Sequence, residues 1–416
     1  MAQRVVKNIG FLGLSQAANY LLPLITIPYI TRVVGPQNYG LIEFASTAML
    51  YFSSVVIYGF GTTGTRLIAQ KPQEIDHVST VFSSVLLTRL SLFLFSTLVF
   101  IACIYTIPKF GEERLLMITA FPLVLGWALY PAFIFQGTQK LQYVAIANFA
   151  VKAIAALAIF IFLQEPEDFF LVLGINAGAQ ILVAILLLIL SFRLLPGLHL
   201  KPVSLRGVKS YLTEGSYVFL SNFFMRISKF SPVLFIGLYL AESQIGLFAA
   251  SLKLVVVAHS FLFLPLAGAM FPHLANVFAR DRNLYLKNLK RSFYTMLAIG
   301  AVSSAVIILF PNFFISLVFG PDYLPAVPYL QIMAPLLTFA VVSHFSLQQG
   351  LSVLSKDKTY LGIVVLVGIV TVVLNVTLIE PYGIRGAAFI KLSVDVFLAL
   401  LGAYFFTRAW RNLPNP

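Results

Sequence analysis

From Phe169 to Phe192 the chain runs for 24 residues without a charged side chain, and runs of this kind recur along its whole length. Coiled as an α-helix, such a run extends about 36 Å, enough to cross a hydrocarbon layer of roughly 30 Å. Charged residues make up 10% of the sequence and hydrophobic ones 59%, with a mean hydropathy of +0.93. A soluble domain carries roughly 25% charged residues. A chain so poor in charge cannot cover a water-facing surface, so it reads as an all-α membrane protein.

Hydropathy and loop punctuation place about twelve spans. Six lie near 9–31, 39–62, 81–107, 115–136, 144–164 and 169–192, and six near 216–239, 247–272, 293–318, 328–350, 361–379 and 387–407. The stretch after the basic start, Ile9 to Thr31, lacks a small-residue cleavage site and reads as an uncleaved first span. The longest polar interruption, 193–215, divides the chain into an N-terminal six-helix lobe (1–192), a cytoplasmic linker (193–215) and a C-terminal six-helix lobe (216–416).

Eighteen of the 28 basic residues fall in the loops on the side of the N-terminus and four in the opposite loops. Lys and Arg concentrate in cytoplasmic loops, so this bias puts both termini of a multi-pass membrane protein in the cytoplasm. The same bias accounts for the net charge of +13 without nucleic acid as a partner. The halves also read as repeats. A shift of 206 carries Gly40-Leu41 onto Gly246-Leu247, and a shift of 213 carries Pro122-Leu123 onto Pro335-Leu336 and Gln136-Gly137 onto Gln349-Gly350. Six spans per half make this a parallel repeat about an axis along the membrane normal, so the bundles are pseudo-symmetric.

Six basic residues remain inside spans: Arg89, Lys152, Arg226, Lys229, Lys253 and Lys391. At roughly 2.5–3.5 kcal/mol each, six lipid-facing cations would cost on the order of 15–20 kcal/mol, more than a fold's net stability. They must snorkel, pair or face a wet cavity. Arg226 and Lys229 sit near the middle of span seven at i,i+3, on one helix face. Like charges at that depth repel, so packing gains nothing from them and an anionic ligand would. Snorkelling to headgroups stands as the alternative for Arg89, Lys152 and Lys253. Lys391 and Asp395 form an i,i+4 pair that either neutralises itself or makes Asp395 an ion-coupling carboxylate. Glu43 carries the same ambiguity. His259, His273 and His344 either relay protons or are hydrogen-bonded structural histidines. Prolines 23, 28, 122, 131, 265 and 335 interrupt spans and mark hinges or static kinks.

Several chemistries are missing. No phosphate-binding G-x-x-x-x-G-K-[ST] loop is present, so ATP is not the internal energy source. Cys103 stands alone, which excludes an internal disulfide, and no zinc-type spacing occurs; metal ligands and cofactors are not expected. The outer loops are too brief for the paired carboxylates of a glycosyltransferase.

The segment NYLLPLITIPYITRVVGPQNYGLIEFA, Asn19–Ala45, resembles the opening of bacterial polysaccharide repeat-unit flippases, the Wzx-type O-antigen exporters. Its core is Ile27 to Gly40. The runs YGFGTTGTRLIA, Tyr58–Ala69, and YPAFIFQG, Tyr130–Gly137, extend the similarity. This resemblance implies membership of the multidrug/oligosaccharidyl-lipid/polysaccharide exporter superfamily, with two lobes around a cationic cavity that opens to each side in turn. The implied substrate is an undecaprenyl-diphosphate-linked oligosaccharide of lipopolysaccharide O-antigen synthesis, moved across by an antiporter driven by a proton or sodium gradient. The implied partners are that glycan, the bilayer and polysaccharide polymerase or assembly proteins. Arg32 and Arg66 stand in the family-like motifs, where they read as substrate contacts or as a helix-end residue and a topology signal respectively. The related lipid II flippases carry several basic residues on span one, and none precedes Arg32 there. A multidrug exporter of the same superfamily is the main alternative, an intramembrane glycosyltransferase the next; exporters of cationic drugs would want acidic cavities, whereas Glu43 and Asp395 face six cations.

Overall fold

The computed structural model describes the backbone of residues 2–203 and 205–413, and the side chains of 22–203, 208, 209, 211–263, 270, 271 and 273–413. Among the described residues every regular element is a helix. The chain forms two compact units, Met1–Phe223 and Phe224–Pro416, with the boundary inside the helix Leu205–Tyr239. That helix begins within the polar stretch 193–215.

Among the described residues eight helical stretches are long and apolar enough to cross a membrane, and the bent pair Pro321–Met333 and Leu336–Leu351 makes a ninth as a broken span. Two of the eight are too long for one crossing. The 55-residue helix Asp357–Arg411 would extend about 80 Å if straight, against a core of roughly 30 Å. It breaks at Gly383 (φ 59°, ψ −149°), and the helix Ala2–Ile57 breaks at Gly35 (φ 70°, ψ 174°). Both conformations are open essentially to glycine alone. Pro36 then starts the next helix with its φ already set and no N–H to leave orphaned. The breaks fall between the spans expected at 9–31 and 39–62, and between those expected at 361–379 and 387–407; the side chains of 9–21 lie outside the described residues.

The prolines act unequally. The helix continues through Pro23 and Pro28 up to Gly35. Pro122 opens the helix Pro122–Leu129, and Tyr130–Pro131 separates it from Ala132–Gly137. Pro335 sits at a 41° bend. The side chain of Pro265 lies outside the described residues.

Each unit has its own core. In the first, Phe60, Phe82, Ile134, Phe135 and Leu187 are buried; in the second, Phe248, Tyr285, Phe319, Tyr323 and Leu351. The outward stripes are apolar too: Leu94, Leu98 and Ile101 on one helix, Ile154, Leu157 and Ile161 on another. Spaced three and four residues apart, they form continuous faces suited to acyl chains. Several hydroxyls inside the spans fold back on their own helix, as Thr88 does to the Ser84 carbonyl at 2.7 Å and Thr371 to that of Val367 at 2.7 Å. This leaves no polar hydrogen of theirs aimed at lipid. Gly137 and Gly350, matched by the sequence shift, do similar work. A Cβ on Gly137 would lie 2.6 Å from Ile68, and one on Gly350 2.5 Å from Phe406. In each unit the glycine lets a neighbouring helix approach.

Candidate functional site

Titratable side chains from four stretches of helix converge in the second unit. The helix Leu205–Tyr239 supplies Arg226 and Lys229, Glu242–Phe278 supplies His259, Leu336–His344 supplies His344, and Asp357–Arg411 supplies Lys391 and Asp395. Lys391 Nζ lies 2.7 Å from Asp395 Oδ2, and the Lys391 side chain is 5% exposed. One helical turn separates the two, so the pair forms without bending the backbone. Lys229 stands within electrostatic reach of Lys391, Asp395 and Arg226, and of His259 and His344. Arg226 is half-buried and Lys229 exposed. His344 Nε2 is 3.3 Å from the amide nitrogen of Gln349, a contact that holds with the imidazole nitrogen as acceptor. Asn375 donates to Ser231 Oγ at 2.8 Å, tying Leu205–Tyr239 to Asp357–Arg411. Three cations and one carboxylate therefore share one region, with a surplus of positive charge. Among the described residues no cluster of His, Cys, Asp and Glu could hold a metal ion. Of the histidines singled out in the sequence, His273 is exposed and shows no link to this cluster. Lys253 is half-buried on the same helix as His259.

The cations of the first unit have separate surroundings. Arg89 is 4% exposed and donates from Nη1 to the Tyr130 carbonyl at 2.6 Å, with its guanidinium 5.2 Å from the centre of the Phe133 ring. The Tyr130 carbonyl ends the helix interrupted at Pro131, where Ile134 bonds instead to the Pro131 carbonyl. Arg89 thus satisfies an acceptor that the proline break left over, and the contact with Phe133 adds a cation–π attraction. This is an architectural task. Arg66 is exposed and pairs with Glu214 at 2.6 Å.

The motif from Ile27 to Gly40 is now legible residue by residue. Tyr29 donates to the Leu163 carbonyl at 2.7 Å, and Thr31 to that of Ile27 at 2.9 Å. Arg32 donates to the Pro28 carbonyl at 3.1 Å, where the helix ends at Gly35. A cation at a helix C-terminus also offsets the dipole. Asn38 donates to the Pro166 carbonyl at 2.9 Å, and Tyr39 to Glu43 at 2.9 Å. The motif builds a corner, and Glu43 is engaged within it.

Neutral polar residues form a chamber to which a count of charges is blind. In the first unit Thr26, Ser46, Trp127, Lys152, Asn176 and Gln180 line a cavity of about 340 Å³ together with apolar residues. Lys152 is half-buried, and Gln180 is 9% exposed with its amide nitrogen unpartnered. The sequence does carry a signal for it: Asn176 and Gln180 are i,i+4 amides in an otherwise apolar span. A second cavity, of about 370 Å³ in the other unit, is floored by Phe293, Phe345 and Phe406, with Lys290 and Arg411 among its lining.

The family model described as polysaccharide biosynthesis protein matches residues 5–278. A candidate O-antigen transporter of Escherichia coli strain K12 is 25% identical over 400 residues, covering 96% of each chain. Another, of Shigella dysenteriae, is 25% identical over 410 residues, covering 95% of this chain and 98% of its own. Among solved structures, a multidrug transporter of the MATE family in an inward-facing conformation superposes with a TM-score of 0.72 at 14% identity, covering 98% of this chain and 100% of its own. The lipid II flippase MurJ in an inward closed conformation gives 0.70 at 13% identity, covering 97% and 87%. These two show a shared fold.

Proposed function

The chain belongs to the polysaccharide biosynthesis protein family, and from that membership we propose that it is a flippase for lipid-linked oligosaccharide repeat units. Its full-length relatives are described as candidate O-antigen transporters, and its fold is shared with MurJ, which is described as a lipid II flippase. The substrate we assign is an undecaprenyl-diphosphate-linked glycan, carried from the cytoplasmic to the periplasmic leaflet of the inner membrane by alternating access. On this reading the chain crosses twelve times, with 1–192 and 216–416 as six-helix lobes and 193–215 as linker. The breaks at Gly35 and Gly383 divide two over-long helices into four crossings, and Leu205–Tyr239 with the bent pair at Pro335 complete the number.

The observation that carries the reading is the grouping of Arg226 and Lys229 with the Lys391–Asp395 pair at mid-helix. A diphosphate crossing a low-dielectric layer must exchange its hydration for fixed positive charge, and charge-assisted bonds from Lys and Arg provide it. Coupling of this exchange to a proton or sodium gradient we assign to Asp395; His259 and His344 stand within electrostatic reach of Lys229. A multidrug exporter of cations would want an available carboxylate. Here Glu43 accepts a hydrogen bond from Tyr39 and Asp395 is held by Lys391.

Reconstitution into vesicles tests the assignment. Lipid-linked glycan added to one leaflet becomes accessible to a glycan-cleaving enzyme on the other, without formation of new glycosidic bonds. Protein-dependent bond formation, or accessibility equal to that of empty vesicles, would refute it.

A further inference from the structure

The 340 Å³ chamber of the first unit lies within a single bundle, formed by residues of the helices Ala2–Ile57, Pro122–Leu129, Leu141–Phe162 and Phe169–Leu194. Its size falls in the range of roughly 300–1,000 Å³ typical of small-molecule sites. Lys152 is ten residues from the end of its helix at Phe162, so it sits about 15 Å along it. Asn176 and Gln180 stand at matching depth on the adjacent helix and share one face. This is costly furniture for an apolar bundle. A buried amide without a partner costs free energy comparable to a lost hydrogen bond, and the Gln180 amide nitrogen is such a group at 9% exposure.

The lining specifies a ligand. Among its described lining residues Lys152 is the one that carries a charge, so the chamber favours an anion, yet a single cation suits a carboxylate better than a diphosphate. Ser46, Asn176 and Gln180 offer hydroxyl and amide groups, which donate and accept as a polyol requires. Trp127 offers a flat apolar face with one N–H donor at its edge, matching a sugar ring with C–H faces and hydroxyl edges. Gly126 keeps the neighbouring wall close: a Cβ there would lie 2.7 Å from the Gln180 side chain, which fixes that amide in place.

We propose that this chamber binds a carboxylate-bearing sugar residue of the exported glycan, its acid group on Lys152, its ring against Trp127 and its hydroxyls on Asn176 and Gln180. The proposal rests on the flippase reading and names a substrate class for it: glycans containing an acidic sugar. The diphosphate is not assigned to this chamber, whose single described cation suits one carboxylate.

The chain has two tryptophans, Trp127 and Trp410, so a Trp410→Phe protein in nanodiscs reports on the chamber by fluorescence. Glucuronate should give a saturable change, with glucose and inorganic phosphate each binding at least about tenfold more weakly. Lys152→Gln should weaken glucuronate by a similar factor and leave glucose unaltered, while Lys152→Arg retains the preference. Equal binding of glucose and glucuronate, phosphate competing as well as glucuronate, or no saturable change would each overturn the proposal, and these arms need no substitution inside the chamber. The vesicle translocation assay is run on the same purified protein, reconstituted into sealed vesicles. Translocation without a glucuronate preference sinks the acidic-sugar site alone; a glucuronate preference without translocation keeps an acid-binding chamber but sinks the flippase reading, and with it the assignment of the acid to an exported glycan.

Discussion

Replacing Asp395 with Ala leaves Lys391 with its ammonium group enclosed and its 2.7 Å partner gone. At that separation the Coulomb attraction is about 6 kcal/mol for an effective dielectric constant near 20. Desolvation of both groups consumes much of it, so the pair's net worth is small, whereas removing one partner strands a buried charge at about 3–5 kcal/mol. Asp395 is 19% exposed, which lets some water reach the vacated site and points to the lower end of that range, about 3 kcal/mol. For a unit of this size the loss corresponds to a fall in unfolding temperature on the order of 5–10 °C. Lys391→Met should cost less, because an unpaired Asp395 can reach solvent, and the double variant Lys391→Met with Asp395→Leu should recover most of the loss. The assay is thermal unfolding of the four proteins in nanodiscs, read as a double-mutant cycle. If Asp395→Ala unfolds within a degree of the parent, or the double variant falls by the sum of the singles, the reasoning fails: Lys391 would not depend on Asp395.

The substitutions Arg226→Gln and Lys229→Gln together should abolish export of lipid-linked glycan while insertion, measured by membrane protein level, stays normal; unchanged export would remove their role. Gly35→Ala and Gly383→Ala should each cost about 1–3 kcal/mol through backbone strain alone, since a Cβ at either position would meet no atom within 4 Å. Gly137→Ala and Gly350→Ala should cost a similar 1–3 kcal/mol by crowding instead, so truncating Ile68 or Phe406 rescues these two, as thermal unfolding would show, and nothing nearby rescues the first two.

How far the sequence reaches depends on which physical quantity decides each feature. Continuous apolar length decides membrane spanning, and it is a one-dimensional property, so the helices are legible. The corner at Gly35 is legible as a break because Gly-Pro ends one helix and starts another. The fates of the prolines are not, because a proline's effect depends on whether its neighbours reconnect the freed carbonyl. Pro28 is absorbed and its helix runs on to Gly35; Pro131 leaves the Tyr130 carbonyl to Arg89, 41 residues away in sequence. That long-range bond also explains why Arg89, counted among the cavity cations, is turned instead to the protein interior. A charge census weights every intramembrane Lys and Arg alike, and only packing separates those that hold a helix together from those that gather around Asp395. The same census ignores amides, which is why Asn176 and Gln180 do not emerge from it.

The balance of charge in the second unit constrains how a substrate can be held on the proposed function. Arg226, Lys229 and Lys391 outnumber Asp395, so the region is net positive. A diphosphate entering it offsets that surplus and also places negative charge beside Asp395, which then competes with it for Lys391. The substrate gains that cation by loosening the 2.7 Å pair, and the pair re-forms as the substrate leaves, so Asp395 weakens the hold and favours release.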